Sequence, residues 1–170
     1  MLGNQVGPHV LDLVREWAPL EVYGHERKYQ SELQDYLDER LNSDSQGMGF
    51  GGPMGGGQET HQVSTERGTA YGDVVVDDAV GIELKRNFSN DQKRKLRGQL
   101  EDYADSYPFV IACACGIEDS DGWREVENKF AQRRGGIMDT TEYHFIIKRR
   151  EHFGQNRRDS GGDGFLGGIF

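Results

Sequence analysis

Gly72-Asp73-Val74-Val75-Val76-Asp77-Asp78-Ala79-Val80-Gly81-Ile82-Glu83-Leu84-Lys85 decides how this chain is read. Val74 to Val76 form one strand-like run, and Val80, Ile82 and Leu84 alternate through a second. Asp77 and Asp78 stand between them as a turn signal. Strand side chains alternate faces, so Glu83 and Lys85 project together while Ile82 and Leu84 project the other way. A turn of three residues, Asp77 to Ala79, puts Val74, Val76, Val80, Ile82 and Leu84 on one apolar face. Asp73 then falls opposite Glu83, beside Lys85. A two-residue turn would set Val74 and Val76 against the polar face, which the hydrophobic pattern disfavours. Two carboxylates and a lysine thus converge at one spot on a sheet, the composition of a metal site with a positive charge beside it.

The rest of the chain reads as alternating α and β elements. Val10, Leu13, Val14 and Trp17 recur at helical spacing after Pro8, which suits a first turn. A second helix spans about His25 to Leu41, with Tyr29, Leu33, Leu37 and Leu41 as its stripe. Strands are expected over about Thr60–Glu66, Gly72–Val76 and Val80–Arg86. A helix capped by Asn90 or Asp91 runs to about Ser106, with Leu96, Gln99, Leu100 and Tyr103 on one face. Phe109–Cys115 reads as a buried strand. Trp123, Val126 and Phe130 mark a helix ended by Gly135-Gly136, and Thr141–Lys148 is a final strand. The order predicts an α/β fold, a central mixed sheet flanked by helices. The expected organisation is an N-terminal helix over 1–20, a core over 21–153 carrying a Gly-rich loop at 46–57, and a flexible tail over 154–170.

Composition narrows the field. The 170 residues suit one domain with a real core, yet only 35% are hydrophobic and the mean hydropathy is -0.76. No apolar run reaches the length of a membrane span, and the N-terminus lacks the order of a secretory signal, so the cytoplasm is the expected location. Cys113 and Cys115 are too few for a zinc site and read as small residues on one strand face. The net charge of -9, with arginine exceeding lysine, resembles proteins adapted to concentrated intracellular salt, as in halophilic archaea and their mobile elements; an ordinary acidic protein has the same balance. Basic residues gather at Lys85, Arg86, Lys93, Arg94, Lys95 and Arg97, and again at Lys148, Arg149, Arg150, Arg157 and Arg158. Such runs are ordinarily solvated faces; the first gains meaning from adjoining the carboxylates.

An Asp at the start of one strand, Glu-x-Lys on the next and a Gln on the following helix together resemble the PD-(D/E)xK nuclease superfamily. Asp73, Glu83-Leu84-Lys85 and Gln99 match that pattern, and Gly72 stands where the family name places Pro. The family often carries a glutamate on its first core helix. Of Glu26 and Glu32, the former shares a face with Gln30, Leu33 and Leu37, whereas Glu32 is displaced toward water. The resemblance covers about Glu21 to Gly116.

It implies a restriction-endonuclease-like fold and a Mg²⁺-dependent DNA endonuclease, with Mn²⁺ as a substitute. Asp73, Glu83 and the Leu84 carbonyl would hold the ion, Glu26 would assist, and Lys85 would stay protonated, orient water and stabilise the scissile phosphate. Gln99 and Gln30 would position water or the nucleic-acid backbone, and Lys93, Arg94, Lys95 and Arg97 would touch its phosphates. Resolvase-like members commonly pair, which allows a homodimer. The terminal Gly164–Phe170 segment, GFLGGIF, reads either as a docking peptide for a protein partner or as a return to the domain surface. The alternatives are a nuclease-like fold that only binds, and an accidental motif forming an ion pair on a solvated sheet face.

Overall fold

In the computed structural model, the residues described are 6–43, 60–65, 73–133 and 140–155. The Gly-rich 46–57 segment, Gly72, Gly135-Gly136, Arg157, Arg158 and GFLGGIF lie outside them.

Helices α1 (Val6–Glu16) and α2 (Glu26–Asn42) precede the strands β1 (Val63–Thr65), β2 (Val74–Val76) and β3 (Val80–Lys85). Helix α3 (Asn90–Ala104) leads to β4 (Phe109–Cys115), and α4 (Ser120–Arg133) leads to β5 (Glu142–Lys148). A short 3₁₀ turn follows at Arg150–His152. The strands lie in chain order in one mixed sheet. β1, β2 and β3 pair antiparallel; β3, β4 and β5 run parallel, joined through α3 and α4. Among the described residues no helix is long and apolar enough to cross a membrane.

The turn has the expected length. Val76 pairs with Val80 and Val74 with Ile82, leaving Asp77, Asp78 and Ala79 as the loop. Asp77 and Asp78 take φ of 52° and 51°, and Ala79 N–H bonds Val76 O at 3.0 Å. Two left-handed central residues define the turn class that matches strand twist, and Asp tolerates that region better than most residues.

The register sorts side chains as the alternation predicts. Val74, Val76, Val80, Ile82 and Leu84 join Ile111, Cys113 and Cys115 in a core against α1 and α2. Both cysteines are free and buried. Val75, Val110, Ala112 and Ala114 face α3 and α4 in a second core. The face carrying Glu83 and Lys85 is therefore not solvated, because α3 roofs it. Gly81 begins that face because Tyr107 presses on it: a Cβ there would lie 2.5 Å from the ring. Tyr107 in turn meets Tyr103 edge-on at 5.8 Å.

Two local expectations change. Ser89 caps α3, its hydroxyl accepting from Gln92 N–H at 3.4 Å, so Asn90 is the first helical residue. Pro8 sits within the first turn of α1, as expected, where a missing N–H is harmless. Glu32 does not face water. Its carboxylate accepts from Trp17 Nε1, Leu20 N–H and Tyr23 O–H at 3.2, 3.0 and 2.6 Å, tying the α1–α2 connection to α2. Helical periodicity alone misses this, since those donors come from an irregular segment.

Candidate active site

Asp73 immediately precedes β2, while Glu83 and Lys85 stand two apart on β3. Asp73 Oδ2 accepts from Leu84 N–H at 2.7 Å, and its Oδ1 accepts from Gln30 Nε2 at 2.7 Å. Gln30 belongs to α2, so Asp73 is fixed from two elements at once. Glu83 Oε1 accepts from Lys85 Nζ, and Glu83 Oε2 accepts from the Tyr103 hydroxyl on α3. Glu83 is fully buried and Lys85 is 2% exposed. Glu26 opens α2 and accepts from Arg86 N–H at 3.4 Å, at the end of β3.

The electrostatics follow from this crowding. Burial pushes the Asp73 carboxyl up to about 7 from its ordinary 3.8, Glu83 and Glu26 push the same way, and the Leu84 N–H and Lys85 oppose them. Burial likewise raises Glu83, against the pull of Lys85 and the Tyr103 hydroxyl. For Lys85 burial disfavours the ammonium, but Glu83, Glu26 and Asp73 outweigh it and the amine is held above its usual range. Burial and the neighbouring Glu83 hold Tyr103 as a phenol. Lys85 is thus a buried cation, unsuited to act as a free-amine base.

Asp73, Glu83, Lys85, Glu26 and Gln30, which the sequence assigns to one site, are brought together here. Gln99 lies one turn before Tyr103 on α3, and its Oε1 is buried with no hydrogen-bond partner, an acceptor left unspent inside the protein. The basic set is divided. Lys93 pairs at 3.0 Å with Asp119, which immediately precedes α4, and Arg97 pairs at 2.9 Å with Glu125 on α4, whereas Arg94 and Lys95 are exposed. Lys148 donates to the Arg15 carbonyl at 2.6 Å and so satisfies the end of α1.

Sequence reasoning misses Tyr103 as a site residue. Periodicity places it in the buried stripe of α3, and a phenol facing a glutamate across a sheet leaves no local pattern.

Among the described residues, no three His, Cys, Asp or Glu side chains gather as a ligand cluster. Two carboxylates therefore define the fit. That set suits Mg²⁺, which is commonly held by one or two carboxylates and keeps several waters. Among the described residues, Asp73, Glu83 and nearby Glu26 face one buried ammonium, that of Lys85. Comparison with family models, with curated proteins and with solved structures finds no match.

Proposed function

We propose that this chain is a metal-dependent nuclease that hydrolyses phosphodiester bonds of DNA, built on a restriction-endonuclease-like fold. One observation carries the reading. Half-buried Asp73 and buried Glu83 and Lys85 occupy a single cluster, and Gln30 and Tyr103 from two flanking helices hold its carboxylates in place. An accidental ion pair on a solvated face needs no such support. The antiparallel β1-β2-β3 meander followed by a parallel crossover through α3 is consistent with that fold.

Phosphodiester hydrolysis needs an activated water and relief of the charge that builds on the phosphoryl oxygens and the leaving oxygen. Asp73, Glu83 and the Leu84 carbonyl would hold Mg²⁺, or Mn²⁺ in its place, with Glu26 as a further carboxylate beside them. When bound, the ion supplies Lewis-acid charge and a water of lowered pKa. Lys85, kept protonated, places positive charge at the scissile phosphate and orients the attacking water. Gln30 and the Leu84 N–H keep the Asp73 carboxylate in one orientation, and Tyr103 does the same for Glu83. Preorganisation of this kind spares reorganisation at the moment of reaction. Gln99 offers a buried acceptor for a water or a backbone group.

Arg94 and Lys95 lie exposed on α3 and suit sequence-independent phosphate contacts. The test is incubation of supercoiled, branched and single-stranded DNA with the full chain in Mg²⁺ and in chelator. Cleavage that requires the metal supports the reading, and no cleavage of any substrate opposes it.

A further inference from the structure

A cleft of about 500 Å³ opens beside Gly116, Ser120, Arg124, Ile147, Arg149 and Arg150. Its place on the sheet connects it to the candidate active site. Lys85 pairs with Ala114, and Cys115 with Lys148, so the ends of β3, β4 and β5 share one rim of the sheet. Ile147 packs with the second core, on the side of the sheet that also carries Glu83 and Lys85. Strands spaced at roughly 4.8 Å put the end of β5 about 10 Å from Lys85. That is the rise of about three nucleotides along one strand of a DNA duplex.

The cleft is built to present guanidinium groups outward. Gly116 has φ +70°, and its N–H bonds Lys148 O at 2.7 Å, which turns the chain sharply at the end of β4. The absent side chain makes room for Arg150, since an added Cβ would lie 2.9 Å from Arg150 Cγ. Arg150 Nε donates to Gly116 O at 3.0 Å, which orients the guanidinium and leaves its two Nη groups for an outside acceptor. Arg124 stands exposed on α4 without an ion pair among the described residues. Arg149 is held 3.8 Å from Glu151 in an exposed and therefore weak pair. Glu118 and Glu151 also line the cleft, so its arginines exceed its acids in a chain of net charge -9. A rigid guanidinium fork matches phosphate oxygens in a way a lysine does not.

We propose that Arg124, Arg149 and Arg150 form a phosphodiester-binding cleft that grips the nucleic-acid strand a few nucleotides from the bond cut at Asp73, Glu83 and Lys85. The inference rests on the nuclease reading and adds to it the direction in which the strand runs, from β3 across β4 to β5.

The experiment measures binding of a labelled DNA duplex and of its single strands over a salt series without divalent metal. It compares the full chain, Arg124→Ala/Arg149→Ala, and Arg40→Ala. Arg40 is exposed in the last turn of α2, at the far end from Glu26, and serves as the charge control. The double variant is expected to bind more weakly, and its slope of log K against log salt is expected to flatten by about 0.9 for each duplex phosphate it no longer neutralises. In Mg²⁺ its KM for cleavage rises while kcat stays near that of the unaltered chain, and Arg40→Ala behaves as the unaltered chain throughout. The proposal is overturned if the double variant titrates like the unaltered chain, if Arg40→Ala loses as much, or if the unaltered chain shows no affinity without metal. Failure of the nuclease reading shows separately, as absence of Mg²⁺-dependent cleavage by the same preparation.

Discussion

Lys85 donates from Nζ to Glu83 Oε1, and the two side chains are 2% and 0% exposed. A buried pair of this kind is weak evidence for stability, but breaking it by removing one partner is expensive, because an uncompensated charge stays behind. Here the ammonium occupies the position of counter-ion to a carboxylate that we assign to a divalent metal. The Lys85 ammonium thereby offsets the Glu83 charge in the protein without metal.

Lys85→Met is therefore expected to destabilise the metal-free protein by about 3–5 kcal/mol. Glu83→Gln/Lys85→Met should recover most of that loss, because no charge is then left alone. Urea unfolding in chelator measures both. The single variant should also bind Mn²⁺ more tightly than the unaltered chain by calorimetry, although cleavage is lost. Equal Mn²⁺ affinity in the two proteins would show that Lys85 does not compete with the metal.

The pH dependence has a definite sign. The folded Asp73 carboxyl titrates near 7 and its ordinary value is 3.8, so between those values the folded state binds more protons than the unfolded one. Stability of the metal-free protein should be highest on this account below about pH 4 and should fall as pH rises through 7. Glu83, raised in the same direction, adds to the fall. Asp73→Asn removes the Asp73 part, so the difference in unfolding free energy between the two proteins should change across this window. A constant difference would mean that Asp73 is not raised. Saturating Mg²⁺ at pH 8 should restore stability to the unaltered chain and not to Asp73→Asn.

Tyr103→Phe removes one donor from a fully buried carboxylate at almost no change in volume. Leaving that acceptor short should cost about 1–3 kcal/mol of stability. If Tyr103 positions Glu83 for the metal, Mn²⁺ affinity falls as well. Stability lost with metal affinity unchanged would assign Tyr103 to packing alone.

The two glutamates of α2 should separate cleanly. Glu26→Ala, at the rim of the site, should lower cleavage while leaving unfolding nearly unchanged. Glu32→Ala strands the donors of Trp17, Leu20 and Tyr23, and should lower stability by about 1–3 kcal/mol while the folded fraction cleaves normally. Denaturation and cleavage per folded molecule measure the pair. Reversed roles would move the site's glutamate to the other face of the helix.

Alternation over Val74–Lys85 is enough to read the three-residue turn, the apolar face and the meeting of Asp73 with Glu83, because a strand's period of two leaves no freedom once the turn length is set. The shared face of Glu26 and Gln30 is legible for the same reason at a helical period. What covers the polar face is not. Whether Glu83 meets water or Tyr103 depends on how α3 returns over the sheet, a long-range fact with no local signature. The pairing of Lys93 with Asp119 and of Arg97 with Glu125 escapes similarly, since a run of basic residues looks alike whether it faces solvent or a neighbouring acidic helix. The capping role of Ser89 is open to reading, because Ser is a strong cap residue and Gln92 follows it by three.

The central claim is that Asp73, Glu83 and Lys85 cut a phosphodiester bond with a divalent metal, and single-turnover cleavage tests it most directly. The unaltered chain, Asp73→Ala and Lys85→Ala are each incubated at high salt with plasmid, branched and single-stranded DNA, in Mg²⁺, in Mn²⁺ and in chelator. The account predicts metal-dependent cleavage of at least one substrate by the unaltered chain and its loss in both variants while they remain folded. Cleavage undiminished by either substitution would contradict it.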